Sequence, residues 1–207
     1  SRQIGMGDWD IWDFGNRRSR PFHWLYLYLV DLFSNSDASG YYIANTVLLV
    51  TLTALVMLLV FRLTKESRLA SASGVLFVLS SPVIESFYTL SKGEPLQLIF
   101  LLIALLIMIP TAIKDGWLIR GVRIGGAAIF FLLSAGTKET SLAILPISIA
   151  WILALWLGSR RTKFGNFRVL DFFIAVSLGS LLFLVMRHSL VGVSILGSGY
   201  SDQYQFS

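Results

Sequence analysis

The feature that most constrains this chain is the run Tyr41 to Phe61, 21 residues without one charged side chain. As an α-helix it would be about 31 Å long, the thickness of a bilayer's hydrocarbon core. Further apolar runs follow at 69–90, 95–113, 124–137, 140–157 and 169–186, separated by short charged stretches. Only helices and closed barrels satisfy their own backbone hydrogen bonds in lipid. The runs lack the alternation of barrel strands, so the expected fold is all-α. We expect a polytopic membrane domain with about six transmembrane helices. Composition agrees: 55% of residues are hydrophobic and 14% are charged, against about 25% charged in soluble domains.

Two segments depart from this pattern. Residues 1–20 form a polar loop that carries Asp8, Asp10 and Asp13 among Trp9 and Trp12, then Arg17, Arg18 and Arg20. Residues 21–33 are aromatic-rich and too short to span, which predicts an amphipathic helix lying in the interface. Within 69–90, Ser80-Ser81-Pro82 predicts a kink, because proline frees backbone groups. The chain begins at Ser1 without an initiator Met, and 190–207 reads as a further loop. We therefore expect one membrane domain over 1–207 that is a piece of a longer protein.

The loops alternate in charge. Arg62, Lys65, Arg68, Lys114, Arg120, Arg123, Arg160, Arg161, Lys163 and Arg168 follow the first, third and fifth spans. Only Lys92, Lys138 and Arg187 follow the others. The positive-inside rule makes the first set cytoplasmic. The net charge of +5 is thus a topology signal, and no nucleic-acid partner is expected. With no cysteine, disulfides and thiolate metal sites are excluded. Of two histidines, only His23 offers an axial ligand in an apolar setting, and an interfacial polar handle is the plainer reading.

This topology gathers Asp8, Asp10, Asp13, Glu85, Lys92, Glu94, Lys138, Glu139, Arg187 and His188 at the outer face. Each alone is explained by a helix-end charge snorkelling to the interface. Together they point to a shared polar cavity. There a carboxylate can act as general base on an acceptor hydroxyl. Cations can stabilise charge developing on a phosphate leaving group. Aspartates can also hold a divalent cation through oxygen ligands.

Five short elements, in order, resemble integral-membrane glycosyltransferases of the GT-C superfamily. The nearest group is that of the polyprenyl- or dolichyl-phosphate-mannose protein O-mannosyltransferases. These elements are Asp10-Ile-Trp12 with Ser19-Arg-Pro21; Tyr41-Tyr-Ile-Ala-Asn45; Pro82-Val-Ile-Glu85; Lys92-Gly-Glu94; and Thr137-Lys-Glu139. The likeness covers residues 7–157, the front half of such an enzyme. It departs from the family in lacking an opening span, in Lys92 where arginine is usual, and in a proline-to-glutamate spacing one residue shorter.

The resemblance implies glycosyl transfer from a polyprenyl-phosphate sugar to an acceptor at the outer membrane face. Asp10, then Asp8, would be the base or the ligands of a divalent cation, with Asp13 ranked below them. Lys138, Lys92 and Arg187 would bind the donor phosphate. Glu85, Glu94 and Glu139 would orient those cations or bind the acceptor. The expected surroundings are membrane lipid, a lipid-linked sugar and possible further membrane subunits. A bacterial cytoplasmic membrane is preferred, with the endoplasmic reticulum as the alternative. The competing reading is a non-catalytic scaffold subunit of a larger complex, with a degenerate glycosyltransferase-like fold. A transporter fits less well, since its sites usually lie at mid-membrane.

Overall fold

A computed structural model describes residues 20–35, 37–89, 92–109, 116–157 and 169–191, and these are helical with short connections. In chain order they form α1 (Pro21–Ser34), α2 (Ala38–Thr64), α3 (Ser67–Val78), α4 (Ser81–Tyr88), α5 (Glu94–Met108) and α6 (Trp117–Thr137). A 3₁₀ turn (Glu139–Ala143), α7 (Ile144–Leu157) and α8 (Val169–Val191) follow. Three helices are long and apolar enough to cross a membrane by length and composition, over Ala38–Thr64, Trp117–Thr137 and Val169–Ser189. Asp8, Asp10 and Asp13 lie outside the described residues.

Local chemistry accounts for the helix ends. Asp37 caps α2, accepting from the Ser39 hydroxyl and from the Ser39 backbone N–H at 3.4 Å, and these bonds hold its carboxyl below the usual aspartate range. Lys65 ends α2 in the left-handed region, φ 62°, with its N–H on the Phe61 carbonyl. Within α2, the hydroxyls of Thr46 and Thr53 each donate 2.8 Å back to a carbonyl four residues earlier, which satisfies them inside an apolar helix. α1 begins with Pro21 in its first turn and stops at Asn35, φ 49°. The expected kink in 69–90 is a full break. Pro82 supplies no N–H, so α3 stops at Val78 and α4 restarts on the Ser80 carbonyl.

Two boundaries differ from the sequence expectation. α6 begins at Trp117, seven residues before the expected apolar run, so Arg120 and Arg123 lie on the helix and not in a loop. Arg120 binds Asp171 of α8 through Nε, at 3.1 and 3.0 Å, and through Nη2. Arg123 Nε donates 2.8 Å to the Ile107 carbonyl near the end of α5. Each cation has a partner on another helix, which lets α6 extend past its apolar stretch. α8 likewise runs on through Arg187 and His188 to Val191.

The core lies between α5, α6 and α8. Ala104 and Met108 meet Ala127, Ala128, Phe131 and Ala135, with Phe172, Ala175, Val176 and Phe183 opposite. Lipid offers helices little hydrophobic reason to associate, so close packing of small residues carries the contact. Gly179 shows how close it is, since a Cβ there would stand 2.6 Å from the Ala128 carbonyl oxygen. On α8, Leu170, Ile174, Leu178, Leu181 and Val185 face outward. An apolar helix with both a buried stripe and an exposed apolar stripe suits a lipid-facing position.

The start of α5 meets the end of α6 through Gln97 and Ser134, and the start of α6 meets the start of α8 through Arg120 and Asp171, so the bundle has two ends. One carries the starts of α2 and α5, the ends of α6 and α8, and the 3₁₀ turn. The other carries Arg62, Arg68, Arg120 and Asp171. Gly179→Ala is expected to lower stability by about 1–3 kcal/mol, read as a reduced thermal midpoint in detergent. Gly125, with nothing within 4 Å of its added Cβ, is the control. Gly125→Ala should be neutral or stabilising by up to about 1 kcal/mol, and equal behaviour of the two variants would contradict this packing.

Candidate functional site

The first end assembles from the turn that follows α6. Ser134, in the last turn of α6, donates to the Gln97 carbonyl at 3.0 Å, and its Oγ is 2.7 Å from Ser141 Oγ. Gln97 Nε2 donates to Ser141 Oγ at 2.7 Å and to Thr140 Oγ1 at 3.0 Å. Gln97, Ser134 and Ser141 are all buried. The network ties α5, α6 and the 3₁₀ turn together directly beneath Lys138 and Glu139. The sequence reading did not single it out. Its one signal is Gln97 standing in an otherwise uncharged apolar run, where an uncompensated amide is costly.

Above this network three ion pairs sit in a row. Lys138, at the C-cap of α6, reaches Glu94 in the first turn of α5. Lys92, two residues before Glu94, pairs with Glu85 of α4. Arg187 of α8 approaches Glu139 at 3.6 Å, longer than a hydrogen bond. Lys138 and Glu139 are adjacent in sequence, so the pairs form one strip across α4, α5, α6 and α8. Burial pushes the Glu94 carboxyl up. The Lys138 hydrogen bond and charge, with Lys92 nearby, outweigh this and hold it below the usual glutamate value. Six of the expected site residues are thus brought together at one end. Asp8 and Asp10 lie outside the described residues.

The strip borders a cleft of about 410 Å³ between α2, α4 and α5. Glu85, Lys92 and Glu94 line it together with Leu49, Leu52, Phe77 and Leu98. Asn45 also lines it, with its Nδ2 donating 3.2 Å to the Ser86 carbonyl. That bond joins α2 to α4 after the break at Ser80. α1 closes the neighbouring side. His23 is buried, and Gly93 lies so close that a Cβ there would be 3.1 Å from His23 Nδ1.

Among the described residues, no group of three or more histidine, aspartate or glutamate side chains is placed to hold a metal ion. The aspartates expected to bind a divalent cation lie outside those residues. The arrangement can receive an amphiphile, with an apolar part in the cleft and an anionic part at the strip. Comparison with known proteins finds no matching family model, curated protein or solved structure.

Replacing Gln97 with leucine should cost about 1–3 kcal/mol, because Ser141 and Thr140 lose the donor they share, Gln97 Nε2. Thermal unfolding of Gln97→Leu beside wild type checks this. A midpoint unchanged within error would mean that the network does not support the turn.

Proposed function

We infer that this chain is the membrane module of a GT-C-type glycosyltransferase, moving a sugar from a polyprenyl-phosphate donor to an acceptor at the outer face. The observation that carries the reading is the apolar cleft beneath a strip of cations and carboxylates at one end of the bundle. A polyprenyl phosphate has this division of chemistry, a hydrocarbon tail and a charged head at the membrane surface. The ordered elements from Asp10-Ile-Trp12 to Thr137-Lys-Glu139 support the same class.

In this reading α3 with α4, α5, and the 3₁₀ turn with α7 cross beside the three long helices, giving six passes. α1 lies at the outer interface. The ten basic residues at and between the helix ends of the other side face the cytoplasm. The host is a bacterial cytoplasmic membrane, with the endoplasmic reticulum as the alternative.

Lys92 and Lys138 then receive the donor phosphate, and Arg187 supports them from α8. Their pairing with carboxylates is no barrier. The Glu85 side chain is 68% exposed, and such surface pairs contribute about 0–1 kcal/mol. The singly charged phosphodiester of the donor can displace Glu85 from Lys92 at small cost, and the phosphomonoester left after transfer takes on a second charge that Lys92 and Lys138 stabilise. Glu94 is held more firmly and orients Lys138. Asp10 takes the proton from the acceptor hydroxyl as its oxygen bonds the sugar's anomeric carbon and the carbon–oxygen bond to phosphate breaks, releasing polyprenyl phosphate; Asp8 is the next candidate base, and the two would be the ligands of a divalent cation.

One observation favours a second reading, a non-catalytic scaffold within a larger membrane complex. The three cations and three carboxylates of the strip neutralise one another, as in a structural clasp. The discriminating experiment reconstitutes the full protein in vesicles with a radiolabelled polyprenyl-phosphate mannose and follows label leaving the lipid. Transfer by wild type, falling at least about 100-fold in Asp10→Asn, is the expected result. Transfer that survives Asp10→Asn in full would remove the assigned base. Label that stays in the lipid with wild type across sugars and acceptors would favour the scaffold.

A further inference from the structure

Two glycines stand beside the lysines of the charged strip. Gly93 lies between Lys92 and Glu94, and Gly136 lies two residues before Lys138. Gly93 has φ −83° and Gly136 is helical, conformations open to any residue. Both positions answer instead to space. A Cβ on Gly136 would stand 2.5 Å from Phe22 Cδ2 and 2.6 Å from Phe22 Cε2. A Cβ on Gly93 would stand 3.1 Å from His23 Nδ1 and 3.5 Å from Thr137 Cγ2. Phe22 and His23 belong to the first turn of α1, directly after Pro21.

That turn is a wedge. Phe22 presses on the last turn of α6, and His23, which is buried, presses on the start of α5. These are the two helix ends from which Lys138 and Lys92 reach the strip. The lysine side chains are 24% and 28% exposed, and a long, partly exposed side chain places its charge only as well as its backbone is placed. A site of this kind depends on the packing behind it. Here the packing comes from α1, which contributes no side chain to the three ion pairs.

We propose that Phe22 and His23 are positioning residues for the anion site of the strip. Wedged against Gly136 and Gly93, they set the separation of Lys138 and Lys92, and so the strength with which the strip holds a lipid-linked phosphate. The proposal rests on the reading that the strip receives the donor phosphate, and it adds the element that sets the affinity.

The test measures binding of farnesyl phosphate and of farnesol to the purified full protein in detergent. Both ligands carry the same short chain for the cleft, and only the first carries an anion for the strip. Wild type should bind farnesyl phosphate more tightly, and Lys92→Gln with Lys138→Gln should remove that preference. Phe22→Ala should weaken farnesyl phosphate about ten-fold and leave farnesol unchanged. Gly136→Ala, which pushes Phe22 away, should do the same, and adding Phe22→Leu should recover most of the loss by making room for the new methyl group. Gly125→Ala, with nothing within 4 Å of its Cβ, should alter neither ligand. No preference for the phosphate in wild type, or a preference that survives removal of both lysines, would overturn the phosphate reading and this inference with it. A preference that needs the lysines yet persists in full in Phe22→Ala and Gly136→Ala would overturn this inference alone. Equal weakening of the two ligands by Phe22→Ala would mean that the wedge only holds the cleft open, and would also overturn it.

Discussion

The contact between Lys138 and Glu94 is where the separate parts of this protein meet. Lys138 ends α6 in an extended conformation, and Glu94 opens α5. A carboxylate in the first turn suits the positive end of α5, and a cation suits the negative end of α6. The pair therefore joins two helix ends whose dipoles already favour those charges. Beneath it the Gln97, Ser134 and Ser141 network fixes the turn that also presents Glu139. Without that anchoring, the strip of ionisable groups would have no fixed geometry over the cleft.

Segregation of charge gives the bundle its polarity. At one end the charges pair across helices and border an apolar cleft. At the other, Arg120 is clamped to a carboxylate that is 3% exposed, while Arg62 and Arg123 face an apolar groove. Between the ends, small residues hold α5, α6 and α8 together while Leu170, Ile174 and Leu178 face outward. The proposed turnover of a lipid-linked sugar belongs to the paired strip.

Much of this was legible in the sequence, for identifiable reasons. An uncharged run such as 41–61 leaves little choice but a long apolar helix, and Pro82 in a serine-rich context marks the break between α3 and α4. The end at which Lys92, Glu94, Lys138 and Arg187 gather follows from reversing the chain at each loop. The partners within that end do not follow, because ion pairing depends on how α4, α5, α6 and α8 sit beside one another. Arg120 and Arg123 read as loop residues because their compensation, Asp171 and the Ile107 carbonyl, lies far away in sequence. Gln97 is similar: its value comes from two hydroxyls more than 35 residues distant. The acidic stretch with Asp8 and Asp10 is read from the sequence alone.

The account depends most directly on the two ends facing opposite sides of a membrane. The chain contains no cysteine, so single cysteines can report this without background. Lys92→Cys and Lys65→Cys, each in sealed right-side-out vesicles, would be exposed to a membrane-impermeant maleimide before and after permeabilisation. The account predicts that position 92 labels in intact vesicles and position 65 only once they are opened. Labelling of both positions from the same side would contradict it.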